Sequence, residues 1–97
     1  MKDTVTISQF TDVMTRDGYG FSYKGSKALF KYLIELEEDC SMELEFDPIG
    51  FRCQYDEYDS LAECLSNYSS VNTLEQLQDR TTVIQIPNSS KIIIEAF

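Results

Sequence analysis

Histidine is absent from this 97-residue chain, and basic residues are few, with eight Lys and Arg against seventeen Asp and Glu. The chain therefore lacks the commonest catalytic base and metal ligand. The formal net charge of −9 argues against contact with nucleic-acid phosphates and with anionic membranes, since both need a basic surface. These absences predict a protein that is not an enzyme, holds no cofactor or metal, and binds neither nucleic acid nor membrane directly.

Cysteine is also sparse. Cys40, Cys53 and Cys64 are an odd number without a C-x-x-C pair, which fits neither a zinc site nor a disulfide framework. Met1 is followed by polar residues, and no run approaches eighteen apolar residues, so we expect a cytoplasmic protein with reduced thiols. Cys53 and Cys64 fall on apolar faces and are predicted core residues, while Cys40 is the expected exposed thiol.

Length and composition predict one domain spanning residues 1–97. The hydrophobic content of 42% is too high for a disordered acidic tail. No internal repeat, linker or low-complexity segment divides the chain. Folding should bury roughly 65% of the unfolded surface, which is enough for one core without disulfides.

Apolar spacing and capping residues predict about four short helices. The clearest runs from about residue 26 to residue 38, with an i, i+3, i+4 apolar stripe and a cap at Gly25 or Ser26. The others are a helix from Ser8 to near Asp17-Gly18, one that opens at Ser60 and one that opens at Thr73.

Alternating apolar and polar residues predict the strands. Residues 42–46 and 49–55 alternate, with Pro48 and Gly50 as interruptions, and Tyr55 should pack in the core. Residues 82–87 and 91–97 form a C-terminal hairpin around a turn at residues 88–90. The order α-α-β-α-α-β-β indicates an α+β fold, in which a small antiparallel sheet of about three strands carries the helices on one face.

The acidic charge is concentrated in the middle of the chain. Residues 1–34 carry +2, residues 35–63 carry −10, and residues 64–97 carry −1. In the long helix the acids crowd the C-terminal turn and the lysines lie near the N-terminus, which is the reverse of what the macrodipole favours. Because stability alone does not explain this arrangement, we interpret the acidic segment as a binding surface. The alternative is that the charge only maintains solubility.

The candidate partner-binding residues are the acids of this segment and one tyrosine. Glu43, Glu45 and Asp47 would form a row of anions on one face of an extended segment, where a groove that tracks phosphates would find similar charges. Tyr58 lies among carboxylates, as interface tyrosines often do. The full set is Glu35, Glu37, Glu38, Asp39, Glu43, Glu45, Asp47, Asp56, Glu57, Tyr58 and Asp59.

Two stretches of the chain show a resemblance to a known group of proteins. The first joins Phe21-Ser22-Tyr23-Lys24-Gly25 to Ala28-Leu29-Phe30-Lys31-Tyr32-Leu33, and the second is Cys53-Gln54-Tyr55-Asp56-Glu57-Tyr58-Asp59-Ser60-Leu61. With the final Thr81-Thr82-Val83-Ile84, the chain resembles small acidic proteins of bacteriophages and prophages from about residue 8 to residue 97. Pro48-Ile49-Gly50 departs from that pattern and should shorten the first strand.

The resemblance implies a context rather than an activity. Early phage genes of this size and charge often block host defence, as anti-CRISPR and anti-restriction DNA mimics do. The leading expectation is a phage-encoded inhibitor, monomeric or homodimeric, that presents its acids to the basic nucleic-acid channel of a CRISPR effector or another defence nuclease. The alternative is a phage adaptor that binds a host or phage protein by shape, through an exposed edge formed by Ile92, Ile93 and Ile94.

Overall fold

The predicted α+β class is confirmed by a computed structural model, which describes residues 5–16, 19–68 and 70–96. Five helices and a three-stranded antiparallel sheet occur within these residues. In chain order they are α1 (Ile7–Met14), α2 (Tyr23–Cys40), α3 (Pro48–Gln54), β1 (Tyr55–Tyr58), α4 (Leu61–Ser66), α5 (Leu74–Arg80), β2 (Val83–Gln85) and β3 (Ile92–Glu95). The predicted helix end at Asp17-Gly18 and the hairpin's last residue, Phe97, lie outside the described residues.

The helices begin at side-chain caps. Those predicted at Ser60 and Thr73 are confirmed, because each hydroxyl accepts a hydrogen bond from the amide three residues later. The cap of α2 is Ser22, which accepts from the Gly25 amide at 3.0 Å, so the prediction of Gly25 or Ser26 is wrong by about one turn. The first turn of α2 precedes the apolar stripe, and periodicity therefore did not reveal it. No helix in the described ranges combines the length and apolar character needed to cross a membrane.

The C-terminal hairpin is confirmed, but its last strand is not an edge. The sheet order is β1-β3-β2, and β3 pairs antiparallel with both neighbours, with Tyr58 opposite Ile92 and Val83 opposite Ile94. Ile92, Ile93 and Ile94 are all buried. The expectation that these isoleucines offer an edge for strand addition is therefore wrong, because β1 and β2 occupy both of their hydrogen-bonding sides.

Helices cover both faces of the sheet, so the prediction of helices on one face is wrong. Ile93 faces a core formed mainly by α1, α2 and α3, which includes Phe10, Met14, Leu29, Leu33, Phe51 and Tyr55. Ile92 and Ile94 face a second core beside α4 and α5, which includes Cys64, Val71 and Leu77. The physical reason is the unbroken run of three isoleucines, because a strand that is apolar on both faces needs a cover on each.

Residues 49–55 do not form the predicted strand, because helix α3 occupies most of this stretch. Its first residue is a proline, and the Asp47 carboxylate accepts a hydrogen bond from the Gly50 amide at 3.1 Å. An aspartate cap followed by proline is a strong helix start, and it overrides the alternating pattern. The strand begins only at Tyr55, which is buried as predicted, whereas Cys53 is exposed and not in the core.

Residues 42–46 do not form a strand either, although their alternation is real. This segment lies between a left-handed turn at Ser41 (φ 52°) and helix α3, and it does not join the sheet. Leu44 and Phe46 pack against the core of α1, α2 and α3, while Glu43 and Glu45 are exposed. The pattern thus indicated the inward and outward faces correctly without indicating a sheet partner.

Candidate partner-binding surface

Helix α2 carries charges of opposite sign at its two ends. Lys24, Lys27 and Lys31 lie in its first half, and all three are exposed. Four carboxylates follow in its second half, of which Glu37 is half-buried and the others are exposed: Glu35, Glu37, Glu38 and Asp39. The helix has neither an acidic residue in its first turn nor a basic residue in its last. The reversed arrangement predicted from the sequence is therefore present in the folded helix.

Glu37 ties the end of α2 to the segment that follows it. Its carboxylate accepts a hydrogen bond from the Leu44 amide at 2.6 Å, and the Met42 amide donates to the Glu37 carbonyl at 3.1 Å. Desolvation raises the pKa of the Glu37 carboxyl, but the Leu44 amide and other favourable contacts outweigh it, and the pKa is lowered overall. Glu37 thus holds the acidic segment against the helix.

The segment 43–47 extends the acidic surface beyond the helix. Glu43, Glu45 and Asp47 are exposed, and Glu43 lines a shallow depression of about 440 Å³ together with Glu37 and Glu38. We call the collected carboxylates of residues 35–47 the acidic end, whose members are Glu35, Glu37, Glu38, Asp39, Glu43, Glu45 and Asp47. No Lys or Arg occurs among residues 35–47.

The remaining predicted acids lie at the opposite end of α2. The Glu57 carboxylate accepts hydrogen bonds from the Ser22 amide at 3.0 Å and from the Ser22 hydroxyl at 3.1 Å. Ser22 caps the start of α2, and Glu35 follows it by thirteen residues, or about 20 Å of helix. The fold therefore divides the predicted acidic segment into two groups instead of joining it into one patch.

Glu57 serves the fold. Its side chain is only 6% exposed, and the Lys91 ammonium lies 3.8 Å from its second oxygen. A carboxylate at a helix N-terminus compensates the positive end of the macrodipole and satisfies free amides. A Cβ at Gly25 would overlap the Glu57 carboxylate, so any larger residue at this position would displace that side chain. This residue has little surface to offer a partner.

The neighbours of Glu57 are also separated from the acidic end. Asp56 is exposed, and Asp59 lies 3.9 Å from the Lys91 ammonium. Tyr58 is half-buried against the core of α4 and α5, where burial and a hydrogen bond with Tyr68 raise the pKa of its hydroxyl. The structure thus brings Glu37, Glu38 and Glu43 to one depression, whereas Glu57 and Asp59 lie together beside Ser22 and Lys91 at the start of α2.

The residues that the structure describes contain no group of three or more Cys, Asp and Glu placed to hold a metal ion. Cys40 is exposed and Cys64 is buried, as predicted, and burial raises the pKa of the Cys64 thiol. No protein-family model, curated protein or solved structure matches the chain.

One feature of α2 was not interpreted as a site from the sequence. A groove beside the helix is lined by the three lysines, by two acids, Glu35 and Glu38, and by apolar side chains. The available signal was the spacing, because residues 24, 27, 31, 35 and 38 recur at intervals of three or four and so follow one helix face.

Proposed function

We propose that the acidic end binds a basic surface of a partner protein and catalyses no reaction on it. The observation that carries this proposal is the run of seven carboxylates in residues 35–47, which contains no basic residue and from which Glu37, Glu38 and Glu43 line one depression at the end of α2. A partner with a cluster of Lys and Arg supplies the compensating charge that the segment itself lacks.

Folding does not account for most of these charges. Glu35, Glu38 and Asp39 lie in the last turns of α2, where the macrodipole is negative and disfavours carboxylates. Glu37 and Asp47 do have structural bonds, to the Leu44 and Gly50 amides. For the exposed acids in the last turns of α2, binding offers the better explanation.

The partner surface that fits best is a channel built for nucleic acid. Glu43, Glu45 and Asp47 are exposed and alternate with the half-buried Leu44 and Phe46, so the three carboxylates form an outward row on one short segment. The cationic side chains of a nucleic-acid channel normally bind the phosphates of the backbone. This row of carboxylates offers them an alternative set of anions. The resemblance to phage proteins favours a CRISPR effector or another defence nuclease as the owner of the channel, which would make the protein an inhibitor of host defence.

Association through this surface should be fast and sensitive to salt. Complementary potentials steer encounter and raise association rates to about 10⁸–10⁹ M⁻¹s⁻¹ at low ionic strength, with a steep fall as salt is added. Recovery of partners from a bacterial lysate at low and high salt, followed by mass spectrometry, identifies the nuclease to be purified.

The decisive experiment reverses charges at two matched places. The wild-type protein should displace labelled DNA from the purified RNA-guided nuclease, and Glu43→Lys/Glu45→Lys should weaken this displacement at least about tenfold. The control is Glu75→Lys/Asp79→Lys, which makes the same charge change at exposed positions of α5. Equal losses in the two variants would contradict the proposed surface, as would a wild-type protein that binds with no dependence on salt.

A further inference from the structure

A groove lies beside α2, and its floor includes the buried Ile86. It has a volume of about 660 Å³ and touches α1, α2 and the end of the β2 strand. Most of its wall is apolar, and Ile7 is 40% exposed there. The apolar lining residues are Ile7, Ala28, Phe30, Ile34, Ile86 and Pro87.

The charged residues of the groove are sorted along its length. Lys24, Lys27 and Lys31 line one half, and Glu35 and Glu38 line the other. Within one molecule the two outer members of this order are unfavourable, because Lys24 lies in the first turn and Glu38 in the last, where the helix dipole repels each. Lys27 and Lys31 are in addition a like-charge pair four residues apart. These charges destabilise the helix when it is alone. A second molecule that places opposite charges against them would account for their presence.

We infer that the groove is the interface of a homodimer in which two copies of α2 pack antiparallel about a two-fold axis near Lys31. In that register Lys24 lies opposite Glu38 of the second copy, and Lys27 lies opposite Glu35. Two-fold symmetry makes each of these pairs occur twice, so four ion pairs form from one helix face. The two helix dipoles then also run in opposite directions, which is favourable.

The apolar residues agree with the same register. Ala28 lies opposite Ile34 of the second copy, and the symmetric pair repeats the contact, so small and large side chains alternate across the axis. At the axis the two Lys31 side chains approach each other. Glu35 of the second copy lies one helical turn from this point. The same residue spacing therefore matches both the charges and the apolar groups of the two helices.

This dimer goes beyond the proposed function, and it assigns Glu35 and Glu38 of the acidic end to the contact between the two copies rather than to the partner. Glu43, Glu45 and Asp47 do not line the groove. The antiparallel arrangement places the two copies of the acidic end at opposite ends of the helix pair. A partner could engage these acids while Glu35 and Glu38 are used between the two copies.

The test uses two full-length charge-reversal variants and their mixture. Lys24→Glu/Lys27→Glu makes all four pairing positions acidic, and Glu35→Lys/Glu38→Lys makes all four basic. Each variant alone should have a dimer dissociation constant at least about tenfold above that of the wild type, because four attractions become four repulsions. The equimolar mixture should dimerise again, since every pair between the two variants is complementary.

Sedimentation velocity measures the association, and circular dichroism verifies that each variant is folded. Glu75→Lys/Asp79→Lys on α5 has the same net charge as Glu35→Lys/Glu38→Lys, and as the control for that variant it should dimerise like the wild type. A wild-type protein that stays monomeric at all concentrations overturns the inference. So does a mixture that remains monomeric, or a pair of variants that self-associate as the wild type does. None of these results bears on the Glu43 and Glu45 test of the proposed function.

Cross-linking tests the register independently. In a Cys40→Ser/Cys53→Ser background, which removes both exposed thiols, Lys31→Cys should be joined rapidly to its symmetry mate by a short bismaleimide. Lys24→Cys should not be joined, because its two copies lie about fourteen residues apart along the paired helices, or about 20 Å. Cross-linking at Lys24→Cys but not at Lys31→Cys would contradict the antiparallel register.

Discussion

The two ends of α2 use carboxylates in different ways. At the N-terminal end, Glu57 is 6% exposed and holds the helix cap through both the amide and the hydroxyl of Ser22. At the C-terminal end, Glu35, Glu38 and Asp39 are exposed and oppose the helix dipole. The contrast teaches that a count of acids along the chain does not distinguish a charge that stabilises the fold from one available to a partner. The surroundings of each carboxylate determine which of these two roles it has.

The largest expected effect is on the N-terminal end. Glu57→Ala should lower the free energy of unfolding by about 1–3 kcal/mol, because the Ser22 amide and hydroxyl lose their acceptor while remaining partly buried. Chemical denaturation measures the change. Gly25→Ala should also destabilise the protein, since the added Cβ displaces the same carboxylate.

The matched control for Glu57→Ala is Glu43→Ala at the acidic end. Glu43 is exposed, and surface substitutions of this kind usually change stability by less than about 0.5 kcal/mol. If both alanine variants were equally destabilised, the contrast between the two ends of α2 would disappear.

A smaller effect of opposite sign is expected at the acidic end. Asp39→Lys should raise the free energy of unfolding by about 0.3–1 kcal/mol at low salt, because it replaces an anion with a cation in the last turn of α2. Thermal or chemical denaturation at low and high salt measures the gain, which should shrink as salt screens it. A loss of stability would mean that Asp39 supports the fold.

The smallest effect concerns Glu37, whose carboxylate accepts a hydrogen bond from the Leu44 amide. Its pKa is lowered in the folded protein, so its contribution to stability is present above the unfolded value near 4.5 and is lost as the pH falls through the lower folded value. The stability difference between wild type and Glu37→Gln should therefore shrink between about pH 6 and pH 3. A difference that grows with acidification would show the opposite sign of the shift.

Local signals predicted several elements correctly. The apolar stripe of α2, the caps at Ser60 and Thr73 and the C-terminal hairpin depend on neighbours within a few residues, and the structure confirms each. The stretch 49–55 was mispredicted because two local signals conflict there, and the Asp47 cap with its following proline prevails over alternation.

The candidate site was predicted in part for a similar reason. Residues 35–47 stay together because they are contiguous and because Glu37 binds the Leu44 amide. Glu57 was grouped with them from its position in the chain, yet it contacts Ser22, thirty-five residues earlier. Such a long-range contact leaves no periodic signal in the sequence.

The sequence by itself determined the α+β class, the amphipathic α2, the hairpin and the concentration of charge, because these follow from composition and from short-range spacing. The tertiary structure alone decided that β3 lies between β1 and β2, that helices cover both faces of the sheet, and that the acids separate into a structural and an exposed group. The pairing of residues 55–58 with residues 92–95 produces the first outcome, and the isoleucines of β3, which point to both faces, require the second. This pairing also places Glu57 beside the start of α2, where its carboxylate stabilises the helix and has little surface exposed to a partner.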